Sequence, residues 1–466
     1  MSFLTSAGVT SEKHSHVVVG AGLPGITLSL ALAKNGCDVV LIDAAPQIGG
    51  LLRSYEVDGF IFDFGTHFAS RTGVDDIDEL LFGGVESDWV NVPVLRAGNF
   101  WNGILNSASE SPNLSTLGKE GHNQCLAEML QSAGWHKTRN PNNAQEYLLA
   151  KYGPHLVAKF FDPVFKKFTG LSSEKLHYEA NMLFGLKRFA VLDAQATTEL
   201  KYSNRYDAIF AFHHREHFSD HRVSLYPRIG GMGKWIEQLE DKLRLSGVRV
   251  LTDAKIDYIK IAKGAVTGLV VDGAEIELDS LTWSVAPDQF CKMVGIELAT
   301  TKPLNRITVL VGMEFDQTFL TDCHFVTIFD TEFAAFRITF YSNFRTHSAG
   351  RYGATVEFLV DPDGVSNTDW ALLAESEMRK MGVVGATTKV ISRHERVVRN
   401  GFPIQSNDNT DSTAAQVEKI REYSNVNVIG RASGDGWFLE DLIKKAYSVA
   451  SELNGKQFLS GKSITS

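Results

Sequence analysis

Cysteine is scarce in this chain. Cys37, Cys125, Cys291 and Cys323 lie far apart with no CxxC pair. Neither a zinc site nor a disulfide framework is suggested, and a reducing cytoplasm fits. Excess basic charge is also missing: 46 Lys and Arg stand against 55 Asp and Glu, for a net charge of −9 and a sequence pI near 5.9. The overall balance therefore offers no general attraction to nucleic acid or to an anionic membrane. The one membrane-like stretch, Val17 to Ala33, is broken by Gly20, Gly22, Pro24 and Gly25. It is just short of a bilayer span and reads as a buried strand, turn and helix, so no stable membrane insertion is expected. The opening MSFLTSAGVTSEKHSH lacks the basic start and continuous apolar core of a signal peptide, so a cytoplasmic protein beginning near Met1 is expected. Internal repeats and low-complexity segments are absent.

What is present has α/β character. His16 to Val19 is a short apolar strand, GAGLPG follows, and ITLSLALAKNG has the apolar spacing and closing Gly36 of a helix. CDVVLID is a second buried strand ending in Asp43, which completes a βαβ unit. Residues 76 to 200 change character, and stretches such as AQEYLLAKYGPHLVAKFFDPVFKKFTG predict an inserted, mostly helical region. After YPRIGGMG the helix KWIEQLEDKLRLSG leads into the strand VRVLTD and a hairpin-like segment. From Thr301, RITVLVGMEF, HFVTIFD, FAAFRITFY and GATVEFLV read as strands of an antiparallel sheet, with TDWALLAESEMRKMG as a helix beside it. A chain of this length predicts two domains. We assign 14–75, 223–300 and 420–458 to a nucleotide-binding domain, and 76–222 and 301–419 to a second domain that carries substrate contacts.

HVVVGAGLPG fits the dinucleotide fingerprint. Gly20 makes the tight turn, Gly22 lets the backbone approach a pyrophosphate, and Gly25 allows helix and strand to pack closely. Leu23 and Pro24 open the helix on whose positive end the pyrophosphate would sit. Asp43, 23 residues after Gly20 and followed by Ala44, is placed at a strand end to bind a ribose hydroxyl. The bland alternative is a glycine-rich buried turn. GGMG at 230–233 has a helix behind it but no second βαβ unit with a terminal acid, so a dedicated NAD(P)H domain is not expected.

GAGLPG, Asp43, GGLLRS at 49–54 and DFGTH at 63–67 together resemble the flavin amine oxidase superfamily, which includes protoporphyrinogen oxidases, phytoene desaturases and UDP-galactopyranose mutases. YPRIGGMGKWIEQL at 226–239, VRVLTDAKIDYI, WSVAP at 283–287, and GR followed by GWFLED at 430–441 extend the resemblance over most of the chain. It implies a GR2-type Rossmann-like FAD-binding domain with an interleaved substrate domain of antiparallel sheet plus helices. Sequence spacing alone points only to a dinucleotide; FAD is what the resemblance implies. It places Gly49, Gly50, Leu51 and Arg53 on the pyrophosphate and ribityl chain, where an arginine fork suits phosphate oxygens; the alternative for Arg53 is a surface salt bridge. Backbone around Val250 would meet the adenine, and Ala286 in the WSVAP segment is a further cofactor contact that the resemblance implies. Gly430 and Arg431 match the family's GR, and the helix starting near Leu439, with Trp437 before it and Leu442 within it, would turn its free N–H groups to the flavin. No cysteine falls in that segment, so noncovalent FAD is expected.

On the substrate side, Phe336-Arg337-Ile338, with Tyr341 beyond, is similar to the strand where the mutases present an arginine to a diphosphate; a routine ion pair is the alternative. FAFHHREHFSDHR carries His213, His214, His217 and His221 with Arg215 and Arg222. An anion-binding role, a metal site if the segment is helical, and a solvated basic face are the readings there, and no metal is assigned. His67 follows the D-x-G strand, where the resembling families pass a loop beside the isoalloxazine. It is the candidate catalytic residue, against the plainer reading of a histidine that caps the loop. The expected activity is FAD-dependent removal of a hydride from a small molecule, with sugar or nucleotide-sugar derivatives among the candidates. The alternative is mutase-like, non-redox chemistry on a nucleotide sugar. Oligomeric state is not legible.

Overall fold

Two seven-stranded sheets organise the computed structural model, which describes residues 12–132, 141–217, 223–297, 304–345, 350–436 and 438–455. The first sheet runs Arg249–Leu251, Val39–Ile42, Glu12–Val19, Ala274–Trp283, Ala265–Val271, Ile256–Ala262, and Val426–Val428 pairs with the end of Ala274–Trp283. Its central pairs are parallel. Parallel strands are covered on both faces, which is why VVLI at 39–42 is buried throughout. Val18 faces the helices Leu23–Lys34, Gly233–Leu245 and Leu439–Leu453. Val17 and Val19 face Trp283, Phe290, Val417 and Ile420 on the other side.

Helix Asn407–Ile420 thus packs on the first sheet, although most of it lies in the stretch assigned from sequence to the second domain. Its apolar face is short and its surface polar, so sequence alone did not show which sheet it covers.

The second sheet runs Val390–Pro403, Asn305–Phe315, Tyr352–Val360, Ala335–Phe340, Phe325–Ile328, Ala97–Trp101, Ile104–Asn106. It is antiparallel except where Phe325–Ile328 lies parallel to Ala97–Trp101. Two features depart from expectation. The stretch 89–106 supplies three strands rather than helix, because AGNFW is entirely buried in the sheet. Strand Val390–Pro403, 14 residues long, goes unannounced because charges fill it; it is an edge strand, where charge discourages further pairing. Among the described residues no helix is long and apolar enough to cross a membrane.

A short hairpin joins the two halves. Ser54–Val57 pairs with Phe60–Asp63 across Asp58 and Gly59, both at positive φ, the conformation that a two-residue Asp-Gly turn favours. Its aromatic residues lie on glycines of the second sheet. A Cβ on Gly353 would stand 1.9 Å from Phe60 Cζ, and one on Gly312 would stand 3.0 Å from the Phe62 ring. Gly353→Ala is therefore expected to displace Phe60 and cost about 1–3 kcal/mol as overpacking. Urea unfolding of the two proteins measures it, and equal stability would contradict the contact.

Candidate active site

The glycines of GAGLPG divide into two kinds. Gly20 has φ +102°, and a Cβ there would meet Ser284 Oγ at 2.6 Å; on Gly25 it would meet the Gly20 carbonyl oxygen at 1.9 Å. Those two glycines serve packing. Gly22 differs, since a Cβ on it would meet nothing nearer than Pro24 Cδ at 3.8 Å, and one on Gly50 would reach only Gly22 Cα at 3.8 Å. The two glycines lie next to one another, neither crowded by a side chain, at the start of helix Leu23–Lys34, whose N-terminus has no side-chain cap. Unpaired helix N–H groups beside side-chain-free backbone suit a phosphate.

Around this cradle, Asp43 Oδ2 accepts from the Ala21 amide at 2.6 Å and Oδ1 from the Ala45 amide at 2.8 Å. Each oxygen keeps a lone pair for a hydroxyl. Ala44 beside it is exposed and Leu51 half-buried. Arg53 donates Nε–H to the Gly50 carbonyl at 2.8 Å, lies over the Phe64 ring, and makes no ion pair among the described residues. Leu251 gives its carbonyl to the Asp43 amide at 2.8 Å, so strand alternation turns the N–H and C=O of Val250 to the open sheet edge.

The WSVAP turn closes the site. The Ser284 hydroxyl donates to the Gly20 carbonyl at 3.0 Å, and a Cβ on Gly430 would come within 3.2 Å of the Ser284 carbonyl oxygen. Ala286 is the N-cap of helix Pro287–Met293 and its carbonyl accepts from Trp283 Nε1 at 3.2 Å. Gly49, at φ +100°, packs on Ile236. At the C-terminus, Asp435 closes the turn by accepting from the Gly430 amide and the Ser433 hydroxyl. Leu439 begins the last helix, without a side-chain cap, and Leu442 is buried. Trp437 lies outside the described residues. The open cradle, the acid and the arginine therefore fit a dinucleotide.

His67 stands where three separated segments meet. Its Nε2 is buried and has no hydrogen-bond partner. Burial pushes the ring down to about 4, Arg337 and Arg431 push the same way, and Glu357 and a hydrogen bond to the Phe64 backbone pull back. Arg337 grips Glu357 with two bonds, Nε at 2.7 Å and Nη2 at 3.0 Å. Burial would raise the Glu357 carboxyl, but Arg337, with His67 and Thr66 behind it, holds it below its ordinary value. Thr66 donates its amide and hydroxyl to Glu357 at 3.2 and 3.1 Å. The loop 65–67 is thereby fastened over the second sheet.

The remaining substrate-side expectations divide. Arg337 is beside His67, but its planar fork is committed to Glu357. Tyr341 needs correction: it is fully buried, and its hydroxyl accepts from the Asp63 amide at 3.0 Å and bonds Thr355 at 2.9 Å, so it is a core residue. Residues 213–217 form a bend and one short turn rather than a helix, so the spacing that would stack three histidines is lost; His221 and Arg222 lie outside the described residues. His213 is half-buried and pushed down by burial and by His214. Arg215 gives its guanidinium to the carbonyls of Ala97 and Ser107.

Two features were not foreseen. Glu110 is exposed and lies in the field of Arg188, Arg215 and Lys187. Lys187 also lies 5.3 Å over the Phe438 ring, next to the last helix. Glu357 had one visible signal, an acid within the apolar run VEFLV, since an unpaired carboxylate is rarely buried.

The model for a NAD(P)-binding Rossmann-like domain matches residues 18–79. A 4,4'-diaponeurosporene oxygenase of Staphylococcus aureus is 27% identical over 274 residues, 56% of this chain and 53% of its own length. A hydroxyneurosporene desaturase of Rubrivivax gelatinosus is 46% identical over 67 residues, 14% of this chain and 13% of its own. The chain spans about half the length of the first of these relatives, and much less of the second. A reduced UDP-galactopyranose mutase overlays with TM-score 0.73 at 17% identity, covering 95% of this chain and 94% of the other.

The chain has the fold of that mutase. Putrescine oxidase bound to putrescine has the same fold, with TM-score 0.63 at 12% identity over 96% of this chain and 100% of its own. Within this fold the burial of His67 makes a pH prediction. The folded ring titrates below its ordinary 6.5, near 4. Between those values the unfolded chain takes up a proton that the fold refuses, so stability falls as pH drops through that window. In urea titrations across that range, His67→Gln is expected to lose less stability on acidification than the parent; parallel pH slopes would refute the burial.

Proposed function

We propose that the chain is an FAD-dependent oxidoreductase that holds its cofactor noncovalently and removes a hydride from a small molecule. The observation that supports this reading best is the uncrowded, side-chain-free backbone of Gly22 and Gly50 at an uncapped helix N-terminus, with Asp43 and Arg53 beside it. Gly22, Gly50 and Arg53 would hold the pyrophosphate, Asp43 a ribose, the Val250 edge the adenine, and Arg431 with the last helix the flavin end. FAD supplies the two-electron acceptor for such chemistry. The relatives named oxygenase and desaturase, and the fold shared with putrescine oxidase, point the same way.

His67 is the residue we assign to the reaction. Burial keeps its ring neutral at ordinary pH, and its unpartnered Nε2 is free to hydrogen-bond a flavin or substrate atom. Thr66, Glu357 and Arg337 fasten the loop that carries it, so they are positioning residues. A second reading, non-redox chemistry on a nucleotide sugar, is favoured by the whole-chain overlay with the mutase. The commitment of Arg337 to Glu357 weighs against it, since the arginine would have to leave a buried carboxylate to meet a diphosphate.

Gly22→Ala tests the cofactor assignment. It strains nothing in the protein, so stability should hold within about 0.5 kcal/mol. Retention of FAD through dialysis, read from flavin absorbance, should fall about tenfold, equivalent to about 1.4 kcal/mol. A variant that keeps full FAD would refute the cradle. Anaerobic mixing of the yellow protein with candidate amines, polyenes and sugars should bleach the flavin with a true substrate. Turnover only after prior reduction, with an isomer as product, would replace the first reading by the second.

A further inference from the structure

A cavity of about 960 Å³ lies between helix Asp162–Thr169, helix Trp370–Lys380 and the turn at 331–334. It sits at the far end of strand Tyr352–Val360 from Gly353, where the hairpin packs. None of the residues assigned to the cofactor lines it. Phe333, Trp370 and Leu373 provide apolar wall, and Lys167 and Arg306 provide positive charge.

Both cations have a donor left over. Arg306 is 7% exposed. Its Nη1 pairs with Asp361, and its Nη2 donates to the Lys167 and Leu359 carbonyls at 3.2 and 3.0 Å. Its Nε is buried without a hydrogen-bond partner. Lys167 Nζ donates to the Ile328 and Asp330 carbonyls at 2.7 and 2.8 Å, which uses two of the three N–H groups of an ammonium. The nearby acids do not satisfy these donors. Glu377 accepts from the Ala334 and Ala335 amides at 2.6 and 2.8 Å, Asp162 bonds the Ser173 hydroxyl, and Glu332 is exposed at the rim. A buried donor without a partner is costly, and on a cation it calls for a negatively charged acceptor.

We propose that this cavity binds an organic carboxylate with an apolar body. The carboxylate accepts from the remaining N–H of Lys167 Nζ, in the field of the neighbouring Arg306 guanidinium, and the body packs against Phe333, Trp370 and Leu373. A neutral apolar molecule leaves the Lys167 N–H unmet. Lys167 also gives the site a pH dependence. Burial pulls it down to about 7, while Glu377 on the facing helix and Asp330 on the turn oppose that. Arg306, Lys166, Asp162 and Glu332 are the other charged groups lining the cavity. Since the ammonium is lost above about 7, carboxylate binding weakens as pH rises through that value.

The test is calorimetry on the full chain as purified, with decanoate as the probe and 1-decanol as its neutral counterpart. Decanoate is expected to bind saturably and about tenfold or more tighter than decanol, a gap of about 1.4 kcal/mol or more. The affinity should fall as pH rises through about 7. Lys167→Met should remove the preference for decanoate, and Leu373→Trp, which fills the cavity while keeping both cations, should block the probe; flavin content should be unchanged in each. Absence of binding, equal binding of acid and alcohol, or decanoate affinity unchanged in both variants would overturn the proposal. The proposal stands apart from the flavin assignment, because heat of binding is read whether or not the protein is yellow.

Discussion

The buried carboxylate of Asp63 is the contact on which the two halves depend. It accepts from the Ser54 hydroxyl at 2.6 Å, the Tyr226 hydroxyl at 2.5 Å and the Met232 amide at 3.0 Å, while its own amide donates to Tyr341 at 3.0 Å. Four segments distant in sequence thus meet at one residue: the hairpin, the strand Ser224–Pro227, the turn before helix Gly233–Leu245, and the turn that follows the second-sheet strand Ala335–Phe340. Burial pushes this carboxyl up, and the hydrogen bonds from Ser54 and Tyr226 and the charge of Arg345 work against that. A buried acid with this many donors is costly to disturb, since each donor would lose its partner as well.

That hub explains the placement of His67. The hairpin leaves Asp63 and runs directly into Gly65, whose φ of +112° turns the chain close above Glu357; a Cβ there would lie 3.1 Å from Glu357 Oε2. Thr66 then binds the same carboxylate, and His67 follows with its ring buried. The site is therefore built from the outside inward. Aromatic residues on glycines fix the hairpin, Asp63 fixes its end, and Glu357 fixes the loop. Only then does a histidine with a free ring nitrogen have a defined direction, as a preorganised polar group requires.

The charged groups of the second half are used in different ways. Arg337 and Glu357 form a closed bidentate pair, as do Arg351 and the fully buried Glu314, with bonds of 2.7 and 2.9 Å. Such pairs hold strands in register and leave little for a ligand. Lys167, whose ammonium meets two carbonyls and has one N–H beyond them, is instead incompletely matched, and incompletely matched charge is where binding chemistry has room to act.

Much of the first half was legible in the chain itself. Gly20, Gly22, Gly25 and Asp43 act through local geometry, a tight turn between a strand and a helix, so spacing alone conveys their arrangement. The strands between 305 and 360 were legible for a similar reason, their local run of strand-forming residues. Tertiary structure decided the rest. Tyr341 was expected on the substrate side with Arg337 but is buried against Asp63. The strand Val390–Pro403 hid behind its charges, and helix Asn407–Ile420 chose the first sheet. Glu357, Lys167 and Arg306 acquire their meaning only from partners that the sequence places far away. Local conformational rules act over a few residues, whereas the pairing of a buried charge depends on which distant strands and helices pack beside it.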